Sequence, residues 1–181
     1  LQNEYILADN GQSLFIVHQR SAHECVVYEK LSALSAQSHV PSQPSMFPVT
    51  MELSPGDAHL LNELLPEFAS LGYHIEPFGA HAFIIQGTPA DLEAGNEKGI
   101  IELVIDQYKH FSAEIRLNAR EKLMRVLARQ QATGTGRHLS SEEMTKLLDE
   151  LFACRQPNVT PDGRPTWIEF QAEQLSRMFA R

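Results

Sequence analysis

The chain has 181 residues, enough for one large domain or two small ones with cores of their own. Its 43% hydrophobic and 21% charged residues are typical of a globular protein, and no apolar run reaches the roughly 20 residues of a membrane span. A formal net charge of −8 argues against a strong nucleic-acid binder, because such binding depends on neutralising phosphates; any DNA contact should be weak. Cys25 and Cys154 show no metal-binding or redox spacing, which favours a reducing cytoplasm. Because residue 1 is not Met, we expect a fragment of a longer protein.

The first forty residues predict a β-hairpin followed by a helix. Two short apolar strands flank Asn10-Gly11, a pair that accepts the positive φ of a tight primed turn. Ser21 and Glu24 have the spacing of a capping box, which predicts the start of the helix. Residues 35–48 are rich in Ser, Pro and Gln, and they predict a loop at a subdomain boundary.

The middle of the chain predicts a β-α-β-β-α succession and a further helix. Pro66 should kink or shorten the first helix of this part, because proline removes a backbone donor. Gly72 is a plausible stop for the same helix. The predicted elements are a strand at 49–53, a helix beginning after Ser54, strands at 74–78 and 82–86, and helices at 98–111 and 113–131.

The C-terminal part predicts a helix, a strand and a final helix. Ser140 and Glu143 form a second capping box, and Leu139 and Met144 add a hydrophobic staple, so a helix should run to Ala153. A loop, a strand at 166–170 and a helix at 172–180 follow. Elements at both ends therefore enclose the middle part, which predicts an α+β chain with an inserted subdomain.

Several motifs, in this order, resemble the C-terminal domain of the MutL family of DNA mismatch repair proteins. Residues 17–30 are similar to the family signature Asp-Gln-His-Ala-x-x-Glu-x-x-x-x-Glu, and residues 47–55 resemble the entry to the family's middle segment. Residues 152–165 look most like the Bacteroidetes branch, and residues 175–179 resemble the family's terminal helix. The resemblance covers nearly the whole chain.

The resemblance implies a discontinuous dimerisation subdomain, residues 1–40 and 113–181, with a regulatory subdomain, residues 41–112, inserted as the β-α-β-β-α part. It also implies a homodimer within a longer protein that carries an ATP-binding N-terminal ATPase region, since this chain has no phosphate-binding motif of its own. The expected partners in DNA mismatch repair are the mismatch sensor MutS and the bacterial sliding clamp.

Endonuclease members of the family hold metal ions with this signature and two further motifs. Glu24 and Glu29 of the signature are retained here, whereas other ligand positions have changed. The family's Ala-Cys-Arg motif should fall on residues 128–130 and its Cys-Pro-His-Gly-Arg-Pro motif on residues 160–165. The changed positions are His18 for Asp, Arg20 for His, Arg129 for the thiolate, Thr160 for Cys and Asp162 for His.

We therefore expect the family's metal site to be lost, with no catalytic residue and no cofactor in this domain. Glu24 is explained as a helix cap, and Glu29 lies about 140° further around a helix, so the two carboxylates do not readily share one ion. The alternative is a metal-dependent endonuclease that nicks DNA. Its rebuilt site would hold Zn²⁺ or Mn²⁺ with His18, Glu24 and Asp162.

Residues 43–48, Gln-Pro-Ser-Met-Phe-Pro, are similar to the peptide that docks in the groove of the bacterial sliding clamp, and the family carries such a motif here. An extended segment would offer Met46 and Phe47 as apolar anchors and Gln43 as a hydrogen-bonding residue. Ser45 and Pro48 complete the motif. The alternative is a loop whose Met46 and Phe47 begin the core of the next strand, and the sequence leaves both explanations open.

Two further sets of residues are candidates for surfaces. Four arginines recur along one predicted helix and would meet phosphates, but interleaved acidic residues favour a mixed, solvated face. Five large apolar residues near the chain ends fit either the core under a sheet or a dimer interface. The arginines are Arg116, Arg120, Arg125 and Arg129, and the apolar residues are Phe15, Trp167, Ile168, Phe170 and Phe179.

Overall fold

The protein is a mixed α/β chain with two three-stranded antiparallel sheets. The computed structural model describes residues 3–36, 41–90, 97–110, 118–133 and 138–179. The elements are β1 (Tyr5–Asp9), β2 (Ser13–His18), α1 (Gln19–Ser35), β3 (Ser42–Glu52), α2 (Pro55–Ser70), β4 (His74–Pro77), β5 (Ala82–Pro89), α3 (Glu97–His110), α4 (Ala119–Thr133), α5 (Ser141–Ala153), β6 (Trp167–Gln171) and α6 (Ala172–Phe179).

The chain divides into two compact units. The first unit contains residues 1–29 and 131–181, and the second contains residues 30–130. The subdomain boundaries predicted from the sequence lie between residues 40 and 41 and between residues 112 and 113. The assignment of a dimerising and a regulatory role to the two parts stays a prediction.

The first unit is built on a sheet of strand order β1-β2-β6. The hairpin of β1 and β2 is confirmed, but its turn is wider than a two-residue primed turn. Of the turn residues only Gly11 has a positive φ, at 83°. The side-chain oxygen of Asn10 closes the turn by accepting hydrogen bonds from the backbone N–H groups of Gln12 at 3.0 Å and Ser13 at 2.8 Å.

The capping box predicted from Ser21 and Glu24 is wrong. Helix α1 begins at Gln19, directly after β2, so Ser21 lies inside the first turn and not before it. The residue before the helix is His18, whose Nδ1 accepts the backbone N–H of Ser21 at 3.3 Å and lies 2.7 Å from its Oγ. The imidazole therefore takes the role of the helix cap.

The core of the first unit lies between the sheet and the helices α1 and α5. Alternate residues of the strands point into this core, as expected for a sheet that is covered on one face. The capping box of α5 is confirmed, because Ser140 and Glu143 exchange both of its hydrogen bonds. The buried cluster consists of Ile6, Val17, Ala22, Cys25, Val26, Leu139, Leu147 and Leu151.

The second unit has a sheet of strand order β3-β5-β4, on which α2 and α3 pack. The loop predicted at 35–48 is wrong from residue 42 onwards, because β3 already pairs with β5 there. Strand β3 is an edge strand, where proline is tolerated because one side of the backbone needs no partner. Between the Pro44–Gly87 and Val49–Ile85 pairs its register shifts, so residues 45–48 form a wide bulge opposite Gln86.

The helices of this unit follow the sequence signals closely. Ser54 caps α2 by accepting from the backbone N–H of Asp57 at 3.3 Å, and Gly72 follows its end at a φ of 86°. The helix runs through Pro66 to Ser70, so the predicted shortening does not occur. Part of the helix predicted at 113–131 lies outside the described residues. None of the helices described is long and apolar enough to cross a membrane.

Candidate functional site

The signature carboxylate Glu24 is buried in α1 and binds an arginine. Its side chain is only 1% exposed, and Nη2 of Arg164 lies 2.9 Å from Oε1 and 2.7 Å from Oε2. A charge-assisted contact to both oxygens neutralises the carboxylate where water does not reach it. The sequence missed this pair because the two residues are far apart along the chain. In the sequence, the only signal for the pair was Gly163-Arg164-Pro165, which is retained from the family's third motif.

A tight turn positions Arg164. The backbone N–H of Thr160 donates to the carbonyl oxygen of Arg164 at 2.8 Å, and Oγ1 of Thr160 accepts the backbone N–H of Arg164 at 3.1 Å. Gly163 has a φ of 79°, a left-handed conformation that favours glycine. Thr160 is buried and stands where the family motif has Cys. Its hydroxyl is therefore needed to stabilise the turn.

The second retained carboxylate, Glu29, also faces an arginine. Nε of Arg155 lies 3.5 Å from its Oε1, but the Arg155 side chain is 90% exposed. Water screens such a pair, so its contribution to stability is small. Both signature glutamates are therefore paired with arginines from the segment after α5.

The changed ligand positions have surroundings of their own. His18 is engaged with Ser21, and its ring lies 5.4 Å from that of Tyr5. Asp162 is exposed, as is Arg129 on α4. Within the described ranges, no three His, Cys, Asp or Glu side chains are grouped so that they could hold a metal ion, and His18, Glu24 and Asp162 are not brought together as such a group.

One face of the β1-β2-β6 sheet carries exposed apolar side chains. The strand register places Ile6, Val17 and Trp167 in one row towards the core. The next row, on the opposite face, contains Leu7 and Ile168, which are 53% and 48% exposed, on either side of Ile16. We call this opposite side the outer face. Its large apolar and aromatic side chains are those of Tyr5, Leu7, Leu14, Ile16, Ile168 and Phe170.

The bulge of β3 presents the predicted clamp-binding residues to solvent. Met46 and Phe47 are 89% and 80% exposed, so neither side chain belongs to a core. Oγ of Ser45 donates a hydrogen bond to the carbonyl oxygen of Phe47 at 2.8 Å and stabilises the bulge. Docking to a clamp stays a prediction.

Two of the four arginines that recur along the predicted helix are engaged with carboxylates. Nε of Arg120 lies 2.8 Å from Glu67, and Nε of Arg125 lies 3.0 Å from Glu121. Arg116 lies outside the described residues. These ion pairs agree with a mixed, solvated face.

Comparison with known proteins defines the family. The family described as MutL C terminal dimerisation domain matches residues 1–139. The DNA mismatch repair protein MutL of Chlorobaculum tepidum is 36% identical over all 181 residues, and those of Chlorobaculum parvum and Chlorobium phaeobacteroides are each 35% identical over the same length. The chain therefore belongs to the MutL C-terminal dimerisation domain family, which confirms the resemblance. It spans 29% of the length of each of these three relatives.

Proposed function

We propose that this chain is the homodimerisation and partner-recruitment domain of a cytoplasmic DNA mismatch repair protein, and that the family's endonuclease metal site is lost in it. Membership of the family and the name of its relatives support the role in mismatch repair. Residues 1–40 and 113–181 would form the dimerisation subdomain, and residues 41–112 the regulatory subdomain. As a homodimer, the domain would join the N-terminal ATPase regions of two chains.

The outer face is the observation that supports dimerisation most directly. Its apolar side chains cross all three strands, so they form a continuous patch and not scattered single residues. Removing apolar surface from water yields about 25 cal/mol per Å², and contiguous exposed patches of this kind mark interfaces. A second copy of the chain, with the same face, would cover it symmetrically.

A charge on this face should abolish the dimer. We expect Ile168→Glu to be a monomer in sedimentation equilibrium at micromolar concentration, because dimerisation would bury the new carboxylate without a partner. Leu103→Glu is the matched control, since Leu103 lies in the second unit and is 49% exposed, against 48% for Ile168. A monomeric parent chain, or a dimeric Ile168→Glu variant, would refute the proposed interface.

The Glu24–Arg164 pair supports the loss of the metal site. A divalent cation would have to displace a guanidinium that already contacts both carboxylate oxygens, and Thr160 offers a hydroxyl used by the turn in place of a thiolate. This set of side chains does not fit a divalent metal ion.

A supercoiled-plasmid assay with Mn²⁺ tests the loss of the nuclease. We expect no nicking by the chain. Nicking that disappears in both Glu24→Gln and Asp162→Asn, with unchanged circular dichroism, would instead establish the endonuclease with its rebuilt site.

The bulge of β3 supports recruitment of a bacterial sliding clamp through Gln43 and residues 45–48; MutS is the other partner that we propose. Exposed Met46 and Phe47 have the character of apolar anchors for a groove. The double variant Met46→Ala/Phe47→Ala should lose clamp binding in surface plasmon resonance. Phe78→Ala is the matched control, because Phe78 lies in the same unit and is 65% exposed. Equal loss in the control, or full binding by the double variant, would argue against the motif.

A further inference from the structure

The two cysteines of the chain lie at the same buried cluster of the first unit, although no local spacing in the sequence indicates that they are near each other. Cys25 lies in α1, and Cys154 follows α5 as its C-terminal cap. Both are free thiols, and Cys154 packs against the buried cluster that contains Cys25. The Sγ of Cys25 also donates to the carbonyl oxygen of Gln156, two residues after Cys154, at 3.5 Å.

The two thiols have different surroundings. Cys25 is only 4% exposed, and burial, together with Cys154 and then Glu29 and Glu24, raises the pKa of its thiol to about 12. Cys154 is partly exposed, and its Sγ lies 3.3 Å from the carbonyl oxygen of Glu150. A dissolved oxidant therefore reaches Cys154 first, while Cys25 stays protonated behind it.

We propose that Cys25 and Cys154 form an oxidisable dithiol, which a hydroperoxide converts into an intramolecular disulfide. In the first step the Cys154 sulfur attacks the peroxide; the O–O bond breaks, Cys154 becomes a sulfenic acid, and an alcohol or water leaves. In the second step the Cys25 sulfur attacks the sulfenic sulfur, the S–S bond forms, and the sulfenic oxygen leaves as water with the thiol proton. Two thiols lose two electrons, and one peroxide gains them.

The position of Cys154 makes closure of the bond feasible. A disulfide needs a sulfur–sulfur distance of about 2.05 Å, so the two sulfurs must approach to this distance. Cys154 lies after the last residue of α5 in an extended conformation, with φ −66° and ψ 154°, so it can move without breaking the body of the helix. The bond would link α1 to the start of the segment that carries Arg155 and Arg164.

Mass spectrometry of the 181-residue chain tests the proposal. The chain is treated with hydrogen peroxide under native conditions and then alkylated in denaturant. We expect a mass loss of about 2 Da, no alkylation, a Cys25–Cys154 linked peptide and full reversal by dithiothreitol. A gain of about 32 Da on Cys154 with Cys25 still reduced, or only intermolecular disulfides, would overturn the proposal.

Two variants separate the roles of the thiols. Cys25→Ser should accumulate the sulfenic acid on Cys154, which dimedone traps, because no second thiol is there to consume it. Cys154→Ser should slow the loss of the Cys25 thiol at least tenfold, since the buried thiol then has to meet the peroxide itself. Loss of the Cys25 thiol at the same rate in Cys154→Ser and in the parent chain would contradict the proposed order.

Discussion

Replacing Arg164 with Met should destabilise the first unit through Glu24. The substitution keeps much of the side chain's bulk but removes the guanidinium from a carboxylate that is 1% exposed. Removing one partner of a buried ion pair costs about 3–5 kcal/mol, because the other charge stays buried and unpaired. The Arg164 side chain is itself 43% exposed, so water screens part of the interaction. We therefore expect a loss of about 2–4 kcal/mol.

Urea denaturation followed by tryptophan fluorescence measures this loss. Trp167 is the single tryptophan of the chain and belongs to the same unit, where its ring lies 5.4 Å from that of Phe15. With a urea dependence of about 2 kcal/mol per M, the expected loss lowers the midpoint by roughly 1–2 M. The slope of the transition should not change.

Arg177→Met is the control for this measurement. Arg177 and Glu173 are 83% and 84% exposed and lie 3.9 Å apart, so breaking their pair should change the free energy of unfolding by less than about 0.5 kcal/mol. Equal midpoints for Arg164→Met and Arg177→Met would refute the claim that Glu24 depends on Arg164.

Three further outcomes follow from the structure. Ser140→Ala removes the cap of α5 and should lower the free energy of unfolding by about 1 kcal/mol in urea, while Ser140→Asp should keep most of it. Gly87→Ala places a Cβ 3.0 Å from the carbonyl oxygen of Gln43, so β3 must shift and the melting temperature should fall. A melting temperature equal to that of the parent chain would contradict this contact. Hydrogen bonds from Lys109 and Ser54 hold the pKa of Asp57 below its usual 3.8, so their stabilisation is present above pH 3.8 and is lost as the pH falls through the lowered pKa. Urea midpoints of Asp57→Asn and the parent chain, measured by circular dichroism, should differ at pH 7 and converge in acid.

Capping signals show which parts of this structure the sequence could predict. Ser140 and Glu143 form a capping box because both hydrogen bonds join residues within one turn. Ser21 and Glu24 have the same spacing, yet the hairpin strand enters the helix without a loop, and the helix begins at Gln19, two residues before Ser21. Glu24 then binds Arg164, a residue that only the folded chain brings near. Local chemistry fixes a cap when no distant partner competes for its side chains.

The edge strand β3 shows a second limit of predicting structure from the sequence. Its Ser, Pro and Gln composition predicts a loop, and no local signal contradicts this. Pairing with β5 overrides the composition, because the backbone groups of β5 would otherwise lack partners on that side. The strand accommodates its prolines because it lies at the edge of the sheet and contains a bulge. The same bulge exposes Met46 and Phe47, so the feature that misled the secondary-structure prediction is the one that presents the proposed anchors.

The structural role of Glu24 determines how any test of nuclease activity must be interpreted. If Glu24→Ala abolished nicking, the loss would have two explanations, because the substitution removes a possible ligand and also breaks the pair with Arg164. Asp162 is exposed, and its replacement by Asn is not expected to unfold the chain. A nicking activity that Asp162→Asn removes without a shift in the urea midpoint would therefore indicate a metal site. A loss of activity in Glu24→Ala that follows its loss of stability would indicate only that the signature glutamate holds α1 to the turn after α5.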